Sequence, residues 1–139
     1  MKKGFFWTGV LAGVLMILVN LVINVFYSWA FPGFQAIYEN TVIFRAMDDP
    51  LMMMFWFYPL VLGVCLAWVW GYTKNVFKKD TVFWAGFKFG LAYFVVAGIP
   101  VFIINLSSFN LPFWMIFSWA DMTAANGLVA GWVFAKFNR

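Results

Sequence analysis

The chain has 139 residues, of which 65% are apolar, 24% aromatic and only 10% charged, against about 45–50% apolar and about 25% charged in an average soluble domain. A domain this small buries only about two-thirds of what its unfolded chain exposes, and the remaining apolar surface would face water. That excludes a soluble globular protein, and the same apolar content excludes a disordered one; the net charge of +4 then has to be read with lipid as the solvent.

Four apolar stretches reach the roughly 20 residues that cross a hydrocarbon core. The first covers 4–30 and is stopped by Phe31-Pro32-Gly33. Met1-Lys2-Lys3 ahead of it resembles the start of a signal peptide. The apolar run, however, exceeds the usual 7–15 or so residues of such a peptide, so an uncleaved first helix is expected. An outer loop, 31–49, follows, in which Phe34, Ile37, Tyr38, Phe44 and Met47 form an apolar stripe. It reads either as a short interfacial helix or as an ordinary ordered loop. The second span, 50–72, opens with Asp49-Pro50, where proline suits the first helical turn. The third covers 82–104. After a short uncharged turn at 105–111, the fourth, 112–135, opens with Leu111-Pro112. Pro59 and Pro100 are expected to kink the outer parts of their spans.

Orientation follows from the bases. If the spans alternate, Lys2, Lys3, Lys74, Lys78, Lys79, Lys88, Lys136 and Arg139 share one side, and only Arg45 lies on the other, beside Glu39, Asp48 and Asp49. Lysine and arginine mark the cytoplasmic side, which puts both termini there. The bases therefore orient the chain and need no nucleic acid to explain them. Trp7, Trp70, Trp84 and Trp132 fall near the inner interface and Trp29, Trp56 and Trp114 near the outer one, as amphipathic rings prefer.

Membrane helices associate where small residues let backbones approach. Such stripes are Gly9 and Gly13 in the first span; Gly63, Ala67 and Gly71 in the second; Gly86 and Gly90 in the third; and Ala120, Ala124, Gly127 and Gly131 in the fourth. Most lie in the cytoplasmic half, so tight packing is expected there and wider spacing in the aromatic outer half. The chain also resembles itself. Phe6-Trp7-Thr8-Gly9 matches Phe83-Trp84-Ala85-Gly86, and Gly63-x3-Ala67-Trp68-Val69-Trp70 matches Gly127-x3-Gly131-Trp132-Val133-Phe134. A duplicated hairpin explains this, and so does convergence under interface rules; both stay open.

The chemical inventory is nearly empty. There is no histidine, a single cysteine (Cys65), and no phosphate loop or nucleophile elbow, so neither a metal nor a cofactor is expected. Asp121 is the residue to explain. It sits about 13 Å into the fourth span at 1.5 Å per residue, where a charge costs at least about 2.5–3.5 kcal/mol. Asn20 lies at similar depth, and Asn24, one turn on, shares the stripe of Gly9 and Gly13. A hydrogen bond from Asn20 or Asn24 to Asp121 is expected, with Ser118 one turn away joining it. Functionally this is a mid-membrane proton or cation site; structurally, it is a protonated acid linking two helices. Lys88 is expected to reach its nearer interface rather than Asp121. Asn126 lies on another face of the fourth span.

The order of a basic N-terminus, Gly86-Phe87-Lys88-Phe89-Gly90 and the closing Gly127-Leu-Val-Ala-Gly-Trp-Val-Phe-Ala-Lys-Phe137 resembles a family of small uncharacterised four-span bacterial membrane proteins. The resemblance implies an architecture and a bacterial membrane, and no activity; the expected location is the inner membrane. The expected fold is thus an all-α integral membrane protein, a four-helix transmembrane bundle with both termini inside. The expected function is non-enzymatic, as a homo-oligomer or an accessory subunit of a larger membrane assembly, with lipid and membrane proteins as partners. The alternative is a small proton- or cation-coupled transporter or channel using Asp121. An enzyme acting on lipid lacks a nucleophile–base pair.

Overall fold

A computed structural model describes residues 4–138; Lys2, Lys3 and Arg139, counted among the bases above, lie outside the described residues. Those residues are helical, without strand. Helix α1 covers Gly4–Ala30 and ends in a turn where Gly33 takes a φ of +92°, a left-handed conformation that a Cβ disfavours. Helix α2, Phe34–Tyr38, follows at once, so the loop does hold a short helix. A 3₁₀ turn, Pro50–Met52, leads into α3, Met53–Thr73. A second 3₁₀ turn, Lys74–Phe77, closes it. Helix α4, Val82–Tyr93, starts at Thr81, whose hydroxyl accepts the Trp84 N–H as an N-cap. It passes through a π-helical turn, Phe94–Gly98, into α5, Ile99–Ser108. Helix α6 covers Phe113–Phe137.

The π turn has an identifiable cause. Pro100 has no N–H to offer one turn back, and a widened turn before it takes up the mismatch. Gly98 belongs to the same device: a Cβ there would lie 2.7 Å from Cε2 of the Phe94 ring, which folds over the backbone at that point.

Three helical segments are long and apolar enough to cross a membrane: Gly4–Ala30, Pro50–Phe77 and Val82–Ser108. Helix α6 has 25 residues, but Ser118, Asp121, Thr123 and Asn126 interrupt its apolar run.

Antiparallel pairs make up the core. Helices α1 and α3 form one, α4 and α6 the other, and α1 meets α6 between them. In the first pair a Cβ on Gly13 would lie 2.6 Å from the Leu60 Cα, and one on Gly9 would lie 2.8 Å from the Val64 Cα. In the second, a Cβ on Gly90 would lie 2.7 Å from the Leu128 backbone N, and one on Gly131 would lie 2.9 Å from the Gly86 carbonyl carbon. Real side chains do not tolerate such distances to backbone, so both pairs cross where only hydrogen fits.

The two crossings are offset by one helical turn. Gly63 sits over Gly9 and Gly13, while Gly131 takes the corresponding seat over Gly86 and Gly127 packs on Gly90. Ala67 is fully buried beside Gly9. Among the described residues, a Cβ on Gly71 would meet only the Phe5 ring, at 3.4 Å, so this end of the α3 stripe faces a side chain rather than a helix backbone. Ala124 is half-buried.

Chain-adjacent α3 and α4 meet instead through aromatics at the basic end, where Trp70 lies edge-on to Phe89 with centroids 5.2 Å apart. Trp70 Nε1–H also donates to the Asn138 carbonyl at 2.9 Å, tying the ends of α3 and α6 together. Lys88 stays at this end as expected, donating to Asp80 at 2.7 Å.

Candidate functional site

The opposite end is built differently. Tyr27 and Phe34 from α1 and α2 are buried with Met115 of α6. Phe31 stacks on Tyr27, with ring centroids 5.6 Å apart, and on Trp114, at 5.0 Å. Ile37, Tyr38 and Phe44 of the expected loop stripe pack on this cluster, while Met47 is 60% exposed. Trp119 Nε1–H donates to the Tyr38 hydroxyl at 2.7 Å, pinning the loop helix to α6. Burial pushes the Tyr38 phenol above its ordinary range, outweighing the Trp119 hydrogen bond, which draws it down. At the loop's far end, Asp49 caps the turn into α3. Its carboxylate accepts the Leu51 N–H at 2.8 Å and pairs with Arg45 at 2.9 Å. Those two contacts, Leu51 first, hold it below the usual carboxylate range.

Asp121 does not meet the asparagines. Its Oδ2 accepts the Tyr27 hydroxyl at 2.5 Å, an α1–α6 bond that replaces the one expected from Asn20 or Asn24. Ser118 does not join it either: fully buried, it donates to its own helix at the Met115 carbonyl, 2.7 Å away. Tyr27 was nevertheless legible, because it lies three residues past Asn24, on the same stripe of α1. The aromatic richness of the loop end masked it as one more interface ring.

Asn20 and Asn24 instead line a cavity of about 350 Å³ between the loop-end halves of α1, α3 and α6. Ile17 and Leu21 complete its α1 wall, Phe55, Tyr58 and Pro59 belong to its α3 wall, and Met122, Thr123 and Asn126 to its α6 wall. Gln35, Tyr38 and Met47 lie on the loop side. Residues two apart on a helix do not share a face, so Asp121 points away while Thr123 lines the space. Among the described residues, no acidic or basic side chain contributes to the lining.

Two polar atoms in this lining are unpartnered. Asn20 Oδ1 and Asn126 Oδ1 are buried without a hydrogen bond, and Asn126 is only 2% exposed. A buried acceptor left unmade costs about 1–3 kcal/mol. Elsewhere in the lining, Thr123 donates to the Trp119 carbonyl at 2.8 Å, and the Tyr38 hydroxyl accepts the Trp119 indole N–H. Asn126 was visible in the sequence as a polar residue on its own face of α6; that its face and that of Asn20 enclose one space required the packing of α1 against α6. Among the described residues no three His, Cys, Asp or Glu side chains gather into a metal-sized group. Comparisons of the chain with protein-family models, with curated proteins and with solved structures find no match.

Proposed function

We propose that this chain is a four-span integral protein of the bacterial inner membrane with both termini cytoplasmic, acting without catalysis as a homo-oligomer or as an accessory subunit of a larger membrane assembly. Inward-turned polarity supports α6 as the fourth span. Ser118 and Asn126 are buried and Asp121 is bonded to Tyr27, leaving its remaining surface apolar enough for lipid. Close glycine contacts in both helix pairs fit association by backbone approach, the mode available where lipid removes the hydrophobic drive.

The observation that carries the functional reading is the Tyr27–Asp121 bond. It engages the only acid within the long helices in an interhelical link, away from the polar cavity. That supports a structural role for Asp121 over a transport one. Surfaces for assembly are at hand: α5 buries none of its residues, and Met53, Met54, Phe55, Trp56 and Phe57 of α3 are all more than half exposed.

Extraction in a mild detergent followed by mass measurement tests this reading. A homo-oligomer or a stoichiometric membrane partner is expected; a lone monomer overturns it. Reconstituted flux of a proton or cation that Asp121→Asn abolishes in a folded protein would replace it with the transport reading.

A further inference from the structure

The loop-end cavity carries more than the assembly reading needs. At about 350 Å³ it falls in the range of small-molecule sites, roughly 300–1,000 Å³. Its walls are mostly apolar, and its polar groups are neutral amides and hydroxyls. Two of those amides hold buried oxygens with no donor. Asn126 is nine-tenths buried and more, on α6, and Asn20 faces the same space from α1. Such acceptors call for N–H or O–H donors from an occupant.

We propose that this cavity binds an uncharged, membrane-partitioning small molecule with a hydroxyl or N–H donor head on an apolar body, the head placed at Asn20 and Asn126. Absence of charge follows from the walls: an ion there would be desolvated with no counter-charge to meet it. A donor head follows from the two oxygens. An apolar body follows from Ile17, Leu21, Phe55 and Met122, which offer contact area but no polar atoms. The proposal goes beyond the assembly reading and stands whether or not the chain forms oligomers.

The test uses the full chain in phosphatidylcholine nanodiscs and three photoreactive probes: a trifluoromethyl-diazirinyl phenol, the same aryl diazirine without the hydroxyl, and its benzylammonium counterpart. Labelled positions are mapped by peptide mass spectrometry. The phenol is expected to label the cavity wall around Tyr58 and Met122, and excess 4-propylphenol, but not propylbenzene, is expected to protect it at least tenfold. Asn126→Leu and Asn20→Leu are each expected to lower that protected labelling about tenfold, leaving labelling of exposed Met54 unchanged. Protection is read on the unmodified protein, so a variant that fails to fold does not decide the outcome. Cavity labelling that is equal for the phenol and its des-hydroxy analogue, or that is not protected, overturns the proposal in favour of a space holding only water or lipid. Stronger protected labelling by the ammonium probe overturns the uncharged class.

Discussion

Replacing Gly13 by alanine sets two effects of opposite sign against each other. Alanine in a helix interior is favoured over glycine by about 1 kcal/mol. The added Cβ, however, would lie 2.6 Å from the Leu60 Cα and 2.8 Å from the Pro59 carbonyl oxygen, where carbon contacts settle near 3.5–4.0 Å. Both obstructing atoms are helix backbone, so α1 and α3 must part by roughly 1 Å at their crossing, loosening the Gly9–Val64 contact as well. Overpacking of this kind costs about 1–3 kcal/mol, and rigid backbone on both sides places Gly13 at the upper end, for a net loss of about 2 kcal/mol. Gly71→Ala is the control. Its nearest obstacle is the Phe5 ring at 3.4 Å, so the propensity gain of up to about 1 kcal/mol survives. Unfolding in mixed micelles titrated with sodium dodecyl sulfate, followed by far-ultraviolet circular dichroism, should separate the two variants by about 3 kcal/mol, more than a hundredfold in equilibrium constant. A Gly13→Ala protein as stable as the parent, or a Gly71→Ala protein as damaged as Gly13→Ala, refutes the close-crossing argument.

The Tyr27–Asp121 bond should appear as a coupling of about 0.6–1.7 kcal/mol in a Tyr27→Phe and Asp121→Ala double-mutant cycle in the same assay; zero coupling would deny the link. Tyr38→Phe removes the acceptor of the Trp119 N–H and is expected to cost about 0.5–1.5 kcal/mol, with faster amide exchange across residues 34–38. Because burial raises the Tyr38 phenol, its contribution is present below the ordinary tyrosine value near 10 and is lost as pH rises beyond it; Tyr38→Phe should remove that alkaline loss. Asp49 titrates in the opposite sense. Held low by Leu51 and Arg45, it stabilises the start of α3 above the ordinary carboxylate value near 3.9, and the effect fades as pH falls through its lower folded value. Protection of the Leu51 and Met52 amides, taken relative to their intrinsic exchange at each pH, should fall on acidification. Asp49→Ala should show that lowered protection already at neutral pH, while Asp49→Asn, still able to accept, should not.

Length and hydropathy set the helices and nearly their ends. Gly4–Ala30 matches the first expected span residue for residue, because an apolar run, a proline–glycine stop and a lipid-sized length all point to the same boundaries. The helix over the third expected span continues four residues past its expected end, to Ser108, since Asn105, Ser107 and Ser108 end the apolar run without breaking the helix. The stripe of Gly9 and Gly13 was legible because helical period alone puts small residues on one face. Its seat on Gly63 was not, because periodicity gives faces but no register between helices. The one-turn offset between the two glycine crossings is a fact of register alone.

The candidate site divides along the same line. Composition singled out Asp121, Asn20, Asn24 and Asn126, since polar side chains stand out in a chain with 10% charged residues. Which of them meet was decided in three dimensions. Tyr27 reaches Asp121 because the loop end of α1 leans on α6, and that leaves Asn20 and Asn126 facing a shared space with their oxygens unpaired. Sequence determines what each helix carries and on which face, through spacing along one chain. Partners across helices depend on the crossing and register of two backbones, and those are set by close packing between residues far apart in the chain.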